Sequence, residues 1–429
     1  MTGPNRPKRV LIYSHDSFGL GHLSRCRTIA NALVAADDDL SVLILSGSPI
    51  IGSFDFKARV DFVRVPGVVK RADGEYEALN LNIGIERTLR MRAKLIRKTA
   101  ELFDPDLFIV DKEPLGLRGE VGETLVSLKR RGTPLVLGLR DVMDEPALLA
   151  PEWKRKNVMP ALRDLYDDIW IYGLPQLNDP LAGIALSKTV KRKMVYTGYL
   201  RRDLPTDRGL PAVVRDLDRR YILVTPGGGG DGEELVDWVL RAYEHDPRIP
   251  YGAVIVFGPF MAPDTREAFR QRALRLPSIR TLTFESSLGP LMAGAAGVVA
   301  MGGYNTFCEI LSFDKPAVIV PRMRPRLEQF IRAQSARQQK LLEMLPEDDA
   351  RDPATMATAL RQLPQQGLPS AAVIPGLLDG IPNVCKLVAK HLDRPLRAVS
   401  MVPVDDGTFG GAIDPVPYDP APARKAGDA

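Results

Sequence analysis

Two of the four histidines in this chain of 429 residues stand in one short run, Ser14-His15-Asp16-Ser17-Phe18-Gly19-Leu20-Gly21-His22. An imidazole titrates near neutrality and can take a proton from a hydroxyl nucleophile. Gly19 and Gly21 let the backbone turn tightly and come close to a ligand. His22 is the first candidate for a catalytic base, with His15 or Asp16 in reserve. A tight turn whose histidines only cap a helix is the plain alternative, and two histidines at a strand's carboxyl end weigh against it.

Three other segments carry candidate chemistry. Thr225-Pro226-Gly227-Gly228-Gly229-Gly230-Asp231-Gly232 is too glycine-rich for a regular element. It suits a backbone cradle that holds a diphosphate with amide donors, or else a flexible hinge turn. Met301-Gly302-Gly303-Tyr304-Asn305-Thr306-Phe307-Cys308-Glu309 follows a strand and opens a helix, whose N-terminus carries roughly half a positive charge. Gly303, Tyr304, Asn305 and Thr306 would aim amides and a hydroxyl at a phosphate. Glu309, about one turn further on, would accept hydrogen bonds from a ribose. The same spacing also reads as a capping box with Thr306 at the N-cap and Glu309 at N3. Finally, Glu328 and Gln329 open a helix after the strand that ends at Pro321. There they would meet sugar hydroxyls, unless they are a solvated helix start.

In the first half, Asp111-Lys112-Glu113 and Arg140-Asp141 end two strands and are acceptor-side candidates. Charges at strand ends are also commonly just solvated.

The elements that would position these groups repeat one pattern: a β-branched run, a Gly/Pro/Asp loop, then a segment of helical period. Strand-like runs fall at 10–13, 42–45, 62–65, 107–110, 135–137, 169–172 and 194–197. A second series falls at 221–224, 254–257, 281–284, 298–300 and 318–320. Runs that are apolar throughout, with helices between them, indicate parallel strands covered on both faces. The spacing predicts an α/β protein of two doubly wound, Rossmann-like domains facing across a cleft. Residues 1–203 form the acceptor half, 204–218 a linker, 219–395 the donor half and 396–429 a flexible tail. Ligands of such sheets bind at the carboxyl ends of the strands.

Composition is that of an ordinary globular protein, with 45% hydrophobic and 26% charged residues. A net charge of +5 suits an anionic small substrate and is too weak to argue for nucleic acid. Three widely spaced cysteines, Cys26, Cys308 and Cys385, show no metal-ligand spacing and fit a reduced, cytoplasmic protein. There is no apparent signal peptide, and no apolar run reaches the roughly 20 residues of a membrane span. The basic amphipathic helix at 86–98 could rest on anionic lipid at the inner face of the cell membrane. An ordinary covering helix is the plainer reading.

Gly302-Gly303-Tyr304-Asn305-Thr306 with Glu309, the strand ending at Pro321, and Glu328-Gln329 with Ala333 resemble the donor-site signature of GT-B glycosyltransferases. The resemblance is to the family 28 branch, which contains the lipid-linked N-acetylglucosaminyltransferase of peptidoglycan synthesis, and it spans most of residues 8–395. It implies an inverting, metal-independent transfer of a hexosyl group from a nucleotide-sugar, a UDP-sugar first, to an acceptor hydroxyl. The acceptor would be a cell-envelope or lipid-linked glycan or a small molecule, and no cofactor is implied. By matching position, Glu309 would bind the ribose, Gly303 to Thr306 the diphosphate, and Glu328 and Gln329 the transferred sugar, with His22 facing the acceptor. The first loop departs from the pattern, having His15, Asp16 and Phe18 where the family has glycines, which suggests a different acceptor. A nucleotide-sugar hydrolase or 2-epimerase on the same fold, and a nucleotide-binding protein without catalysis, are the competing readings.

Overall fold

The apolar runs become two parallel sheets in the computed structural model of the protein. It describes residues 6–16, 21–71, 75–203, 211–215, 217, 220–228, 230–285, 288–324, 326–345, 351–393 and 395–396. In chain order the strands of the first half are β1 (Lys8–Ser14), β2 (Leu40–Ser46), β3 (Val60–Arg64), β4 (Val68–Lys70), β5 (Tyr76–Ala78), β6 (Leu107–Asp111), β7 (Leu135–Arg140), β8 (Asp168–Tyr172) and β9 (Met194–Tyr196). Seven of them form one sheet in the order β3-β2-β1-β6-β7-β8-β9, all parallel. β4 and β5 are a separate antiparallel hairpin that the sequence pattern did not show.

The second half repeats the plan with β10 (Tyr221–Thr225), β11 (Gly252–Val256), β12 (Ile279–Leu282), β13 (Gly297–Ala300), β14 (Ala317–Ile319) and β15 (Glu343–Met344). Its order is β12-β11-β10-β13-β14-β15, again parallel. In each sheet the chain reverses direction across the sheet beside the first strand of that half. That reversal opens a crevice at the strand ends.

Burial explains the uninterrupted apolar runs. Every residue of β6, β7, β10 and β11 is buried, because helices cover both faces. The halves share an apolar cluster in which Tyr199 and Leu200 of the first meet Tyr304 and Phe307 of the second.

The last helix, Gly380–Leu392, belongs by sequence to the second half but packs on the first. The Gly380 amide donates to the Tyr199 carbonyl at 3.1 Å. Asn383 Nδ2 donates to Thr197 O at 2.9 Å, and His391 Nε2 meets Asp168 Oδ2 at 2.7 Å. The donor half expected at 219–395 therefore ends, in space, before this helix. Residues 204–210 of the expected linker and 397–429 of the expected tail lie outside the described residues.

The basic helix runs from Ile85 to Phe103. Arg92 points inward, giving two 2.6 Å bonds to the Glu120 carboxylate, which also accepts from Tyr13 Oη at 2.6 Å. Arg87, Arg90, Lys94 and Lys98 face outward. No helix among the described residues is long and apolar enough to cross a membrane.

A buried charge left without its partner costs about 3–5 kcal/mol, whereas an exposed pair contributes ~0–1 kcal/mol. Arg92→Ala is therefore expected to lower urea-unfolding stability by about 3–5 kcal/mol. Arg97→Ala, from the exposed pairs with Glu101 and Glu123, should change it by less than about 1 kcal/mol. Equal losses in the two variants would refute this account of the helix.

Candidate active site

The carboxyl ends of both sheets border a cleft of ≈ 1540 Å³. That exceeds the ~300–1,000 Å³ usual for a single small ligand, so it can hold two substrates. Two helix N-termini open into it: Gly21–Ala36, after β1, and Tyr304–Ser312, after β13. They touch through Asn305, whose Nδ2 donates to Gly21 O at 2.9 Å. Asn305 Oδ1 accepts from Arg202 at 2.7 Å.

The three base candidates separate by their partners. Asp16 caps the first helix by accepting the Leu23 amide at 3.1 Å, and its other oxygen takes the Ser46 hydroxyl at 2.6 Å. Burial raises its pKa. His15 is buried behind the loop with Nδ1 3.4 Å from Tyr13 Oη, and burial drives its pKa down to about 3. It stays neutral, meets the His22 ring edge-on at 5.6 Å, and does not line the cleft.

His22 lines the cleft, with Nδ1 2.5 Å from Asp111 Oδ2 at the end of β6. Arg25, one helical turn after His22, grips the same carboxylate through Nε and Nη2, both at 2.7 Å. Nδ1 also lies 3.1 Å from Arg25 Nη2. A ring nitrogen whose proton is directed to a carboxylate has no lone pair for that contact, so the network assigns the proton to Nδ1 and the free lone pair to Nε2. Burial lowers the His22 pKa, against the opposing pull of Asp111. Burial would raise that of Asp111, yet Arg25 and His22 together hold it well below the usual carboxylate range. The result is a neutral imidazole, oriented by an ionised carboxylate.

In the second domain the helix starts at Tyr304 with Gly303 as its N-cap and no side-chain cap. Thr306 therefore lies inside the first turn, which removes the capping-box reading of Thr306 and Glu309. Gly302 is at φ +78°, and a Cβ there would meet Ile319 Cγ2 at 2.7 Å, so only glycine fits. Tyr304 turns its ring inward between the guanidiniums of Arg25 and Arg332, 5.4 and 5.7 Å from the ring centre. It offers the cleft its backbone, not its hydroxyl. Glu309 lines the cleft, and its carboxylate has no hydrogen-bond or ion-pair partner among the described residues. Burial raises its pKa, against Arg202 and Arg27.

Gly227, Gly228 and Gly230 line the cleft on the second glycine loop, with Gly227 at φ +84°. Gly229 and Gly19 lie outside the described residues. The loop packs closely on its neighbour: a Cβ on Gly258 would sit 2.6 Å from Gly227 O.

Two of the charged candidates bind each other across the cleft. Glu328 pairs with Arg140, and Gln329 Oε1 accepts the Arg322 amide at 3.0 Å. Asp141 does not line the cleft. It is buried against Arg332 of the second half, bonded to Nε at 2.8 Å and Nη2 at 2.7 Å, and accepts from Tyr199 Oη at 2.9 Å. Arg332 Nη1 also donates to Gly302 O at 3.0 Å, immediately before the donor-side helix. Glu113 pairs with Lys156 at 2.9 Å, and Lys112 lines the cleft.

Sequence reading assigned no role to Arg25, Arg202 or Arg332. The signal for two of them was helical spacing: Arg25 is three residues after His22, and Arg332 four after Glu328. Among the described residues no cluster of three or more His, Cys, Asp or Glu side chains could hold a metal ion.

Two Rossmann-like domains facing across such a cleft define the GT-B architecture, and comparison with known proteins gives its class. Residues 222–373 match the model of the glycosyltransferase family 28 C-terminal domain. A protein of Methanosarcina acetivorans named uncharacterized glycosyltransferase is 22% identical over 320 residues, 71% of this chain and 77% of that one. Solved structures of the same fold include Medicago truncatula UGT71G1 complexed with UDP-glucose (TM-score 0.59, 12% identity, 90% of this chain and 98% of that one). The calicheamicin glycosyltransferase CalG4 has TM-score 0.57 at 13% identity, covering 91% and 99%. Acinetobacter baumannii MurG has 0.54 at 14%, covering 90% and 99%. The chain thus has the GT-B fold, and its second half carries a region that matches the glycosyltransferase family 28 C-terminal domain.

The Arg140–Glu328 pair gives a pH prediction. Burial would raise the Glu328 pKa, but Arg140 and then Arg332 lower it from 4.5 to about 2. A carboxylate depressed in the folded state adds stability that is complete above its unfolded pKa and is lost as pH falls through the folded one. Glu328→Gln should thus be less stable than the native protein by about 3 kcal/mol at pH 7. The difference should shrink below pH 4.5 and vanish near pH 2. A gap independent of pH in urea titrations would contradict it.

Proposed function

We propose that this protein transfers a hexosyl group from a UDP-sugar to an acceptor hydroxyl with inversion, using His22 as base. The observation that carries this reading is the His22–Asp111 contact of 2.5 Å at the cleft wall, beside the helix N-terminus that begins at Tyr304. A hydroxyl held at His22 Nε2 would lose its proton to the ring as it attacks the anomeric carbon. Asp111 would stabilise the imidazolium that forms, while remaining ionised itself. The bond to the nucleoside diphosphate breaks on the opposite side, and the departing charge meets the amides of Gly303 to Thr306 and the glycine loop at 227–230. Such preorganised donors are worth roughly 3 kcal/mol each. No metal enters this scheme. Glu309, without a partner in the cleft, would accept the ribose hydroxyls. Glu328 and Gln329 would meet the transferred sugar once the pair with Arg140 opens.

UDP release that depends strictly on an added acceptor is the outcome expected of a transferase, and release in water alone would favour the hydrolase reading. His22→Ala should lower kcat roughly 10²–10⁴-fold while leaving UDP affinity unchanged. Glu309→Ala should weaken UDP binding by about 1.5–3 kcal/mol without altering kcat to that degree. A folded Glu309→Ala protein that binds UDP normally would remove that assignment.

The outward face of the helix Ile85–Phe103 would rest on anionic lipid, with Leu95 and Leu102 exposed beside its cations. Neutralising Arg87, Arg90, Lys94 and Lys98 together should abolish sedimentation with phosphatidylglycerol vesicles. Unchanged sedimentation would make this an ordinary covering helix.

A further inference from the structure

Lys112 comes just after β6 and Arg140 ends the neighbouring strand β7, and both line the cleft. Lys112 directly follows Asp111, the carboxylate that orients His22. It holds a left-handed backbone, φ +66°, which lysine rarely adopts. Its amide donates to Gly138 O on β7 at 2.8 Å, which locks that turn in place. Its ammonium has no hydrogen-bond or ion-pair partner among the described residues. Arg140 is buried in the same wall, 9% exposed, and its Nε has no hydrogen-bond partner among the described residues. Its counter-ion among the described residues, Glu328, comes from the other domain.

The surrounding charges leave a surplus. Lys112 feels Arg140 and Arg326 as like charges, and Glu113 and Glu328 as opposite ones. Arg326 is taken up by Asp144 and Glu152, and Glu113 by Lys156. Glu328 then faces both Lys112 and Arg140, with its other oxygen 3.9 Å from Arg322, which is itself taken up by Asp231. Two cations share one carboxylate, and that carboxylate belongs to the helix proposed to turn to the transferred sugar. A buried cation without an anion is costly. An incoming anion would balance this surplus.

We infer that Lys112, supported by Arg140 Nε, forms an anion subsite on the acceptor side of the cleft, so that the acceptor carries a carboxylate or phosphate group near its nucleophilic hydroxyl. This rests on the transfer reading above, because it places the subsite beside the base. Lys112 is then a specificity-determining residue and takes no part in proton transfer.

The test uses the full chain saturated with UDP, so that the donor site is filled. Glucose, glucuronate and glucose 6-phosphate are titrated in turn at constant ionic strength, and affinity is read by calorimetry. At least one of the two anionic sugars should bind ten times more tightly than glucose or better. A preference for glucuronate alone marks a carboxylate acceptor, and one for glucose 6-phosphate alone a phosphorylated one. Lys112→Gln should abolish the preference and leave glucose and UDP affinities unchanged, while Lys112→Arg should retain it. Equal binding of all three sugars would overturn the inference, as would a preference that survives Lys112→Gln. A loss of UDP affinity in Lys112→Gln would instead assign the lysine to the donor diphosphate. Failure of the native protein to bind UDP at all would remove the transfer reading itself, a result distinct from these.

Discussion

The ion pair between Asp141 and Arg332 is the contact on which the site's geometry depends. Its groups lie on different domains and are at most 1% exposed. Removing two charges from water costs several kcal/mol each, and their attraction repays that only when geometry and further hydrogen bonds are good. Here the guanidinium meets the carboxylate through two nitrogens, Tyr199 adds a hydroxyl, and Gly302 O takes the remaining guanidinium corner. The pair is thus well satisfied. It also ties the two domains together, since separating the pair while both groups stay buried would be costly. Through Gly302 the same arginine holds the turn that starts the donor-side helix.

That fixed arrangement makes the chemistry of the cleft possible. The first-domain helix brings His22, the strand β6 brings Asp111, and the second-domain helix brings its positive end to within one asparagine side chain of Gly21. Asp111 is shared between Arg25 and His22. Arg25 keeps it ionised, and the ionised form in turn keeps the imidazole in the tautomer with its lone pair toward the cleft. Burial does the rest by keeping His22 neutral. A carboxylate bound only to His22 would share its proton more evenly. One bound only to Arg25 would leave the ring free to turn.

The glycine-rich loops and the charged residues divide the labour differently from what their order along the chain suggests. Gly302 and Gly303 shape the turn, and Tyr304 packs behind it between two arginines as part of the core. Glu328 and Arg140 pair across the cleft, so the residues expected to meet the sugar and the acceptor are each other's partners. Asp16 is a helix cap, and His15 is a buried ring beside Tyr13.

The sequence by itself determined the two parallel sheets, the strand-loop-helix turns after β1, β10 and β13, and the placement of His22, Glu309 and Glu328 near strand ends. Those features follow from local periodicity, glycine positions and the rule that open α/β sheets bind at their carboxyl ends. Only the tertiary structure decided which of His22, His15 and Asp16 faces the cleft, because that depends on Asp111 and Ser46 arriving from distant strands. The same holds for Asp141, whose partner is 191 residues away, and for the last helix, which follows the second domain in sequence yet covers the first. Pairings across a domain boundary leave no periodic trace in the chain. They are set by which buried charges can meet once both sheets have formed.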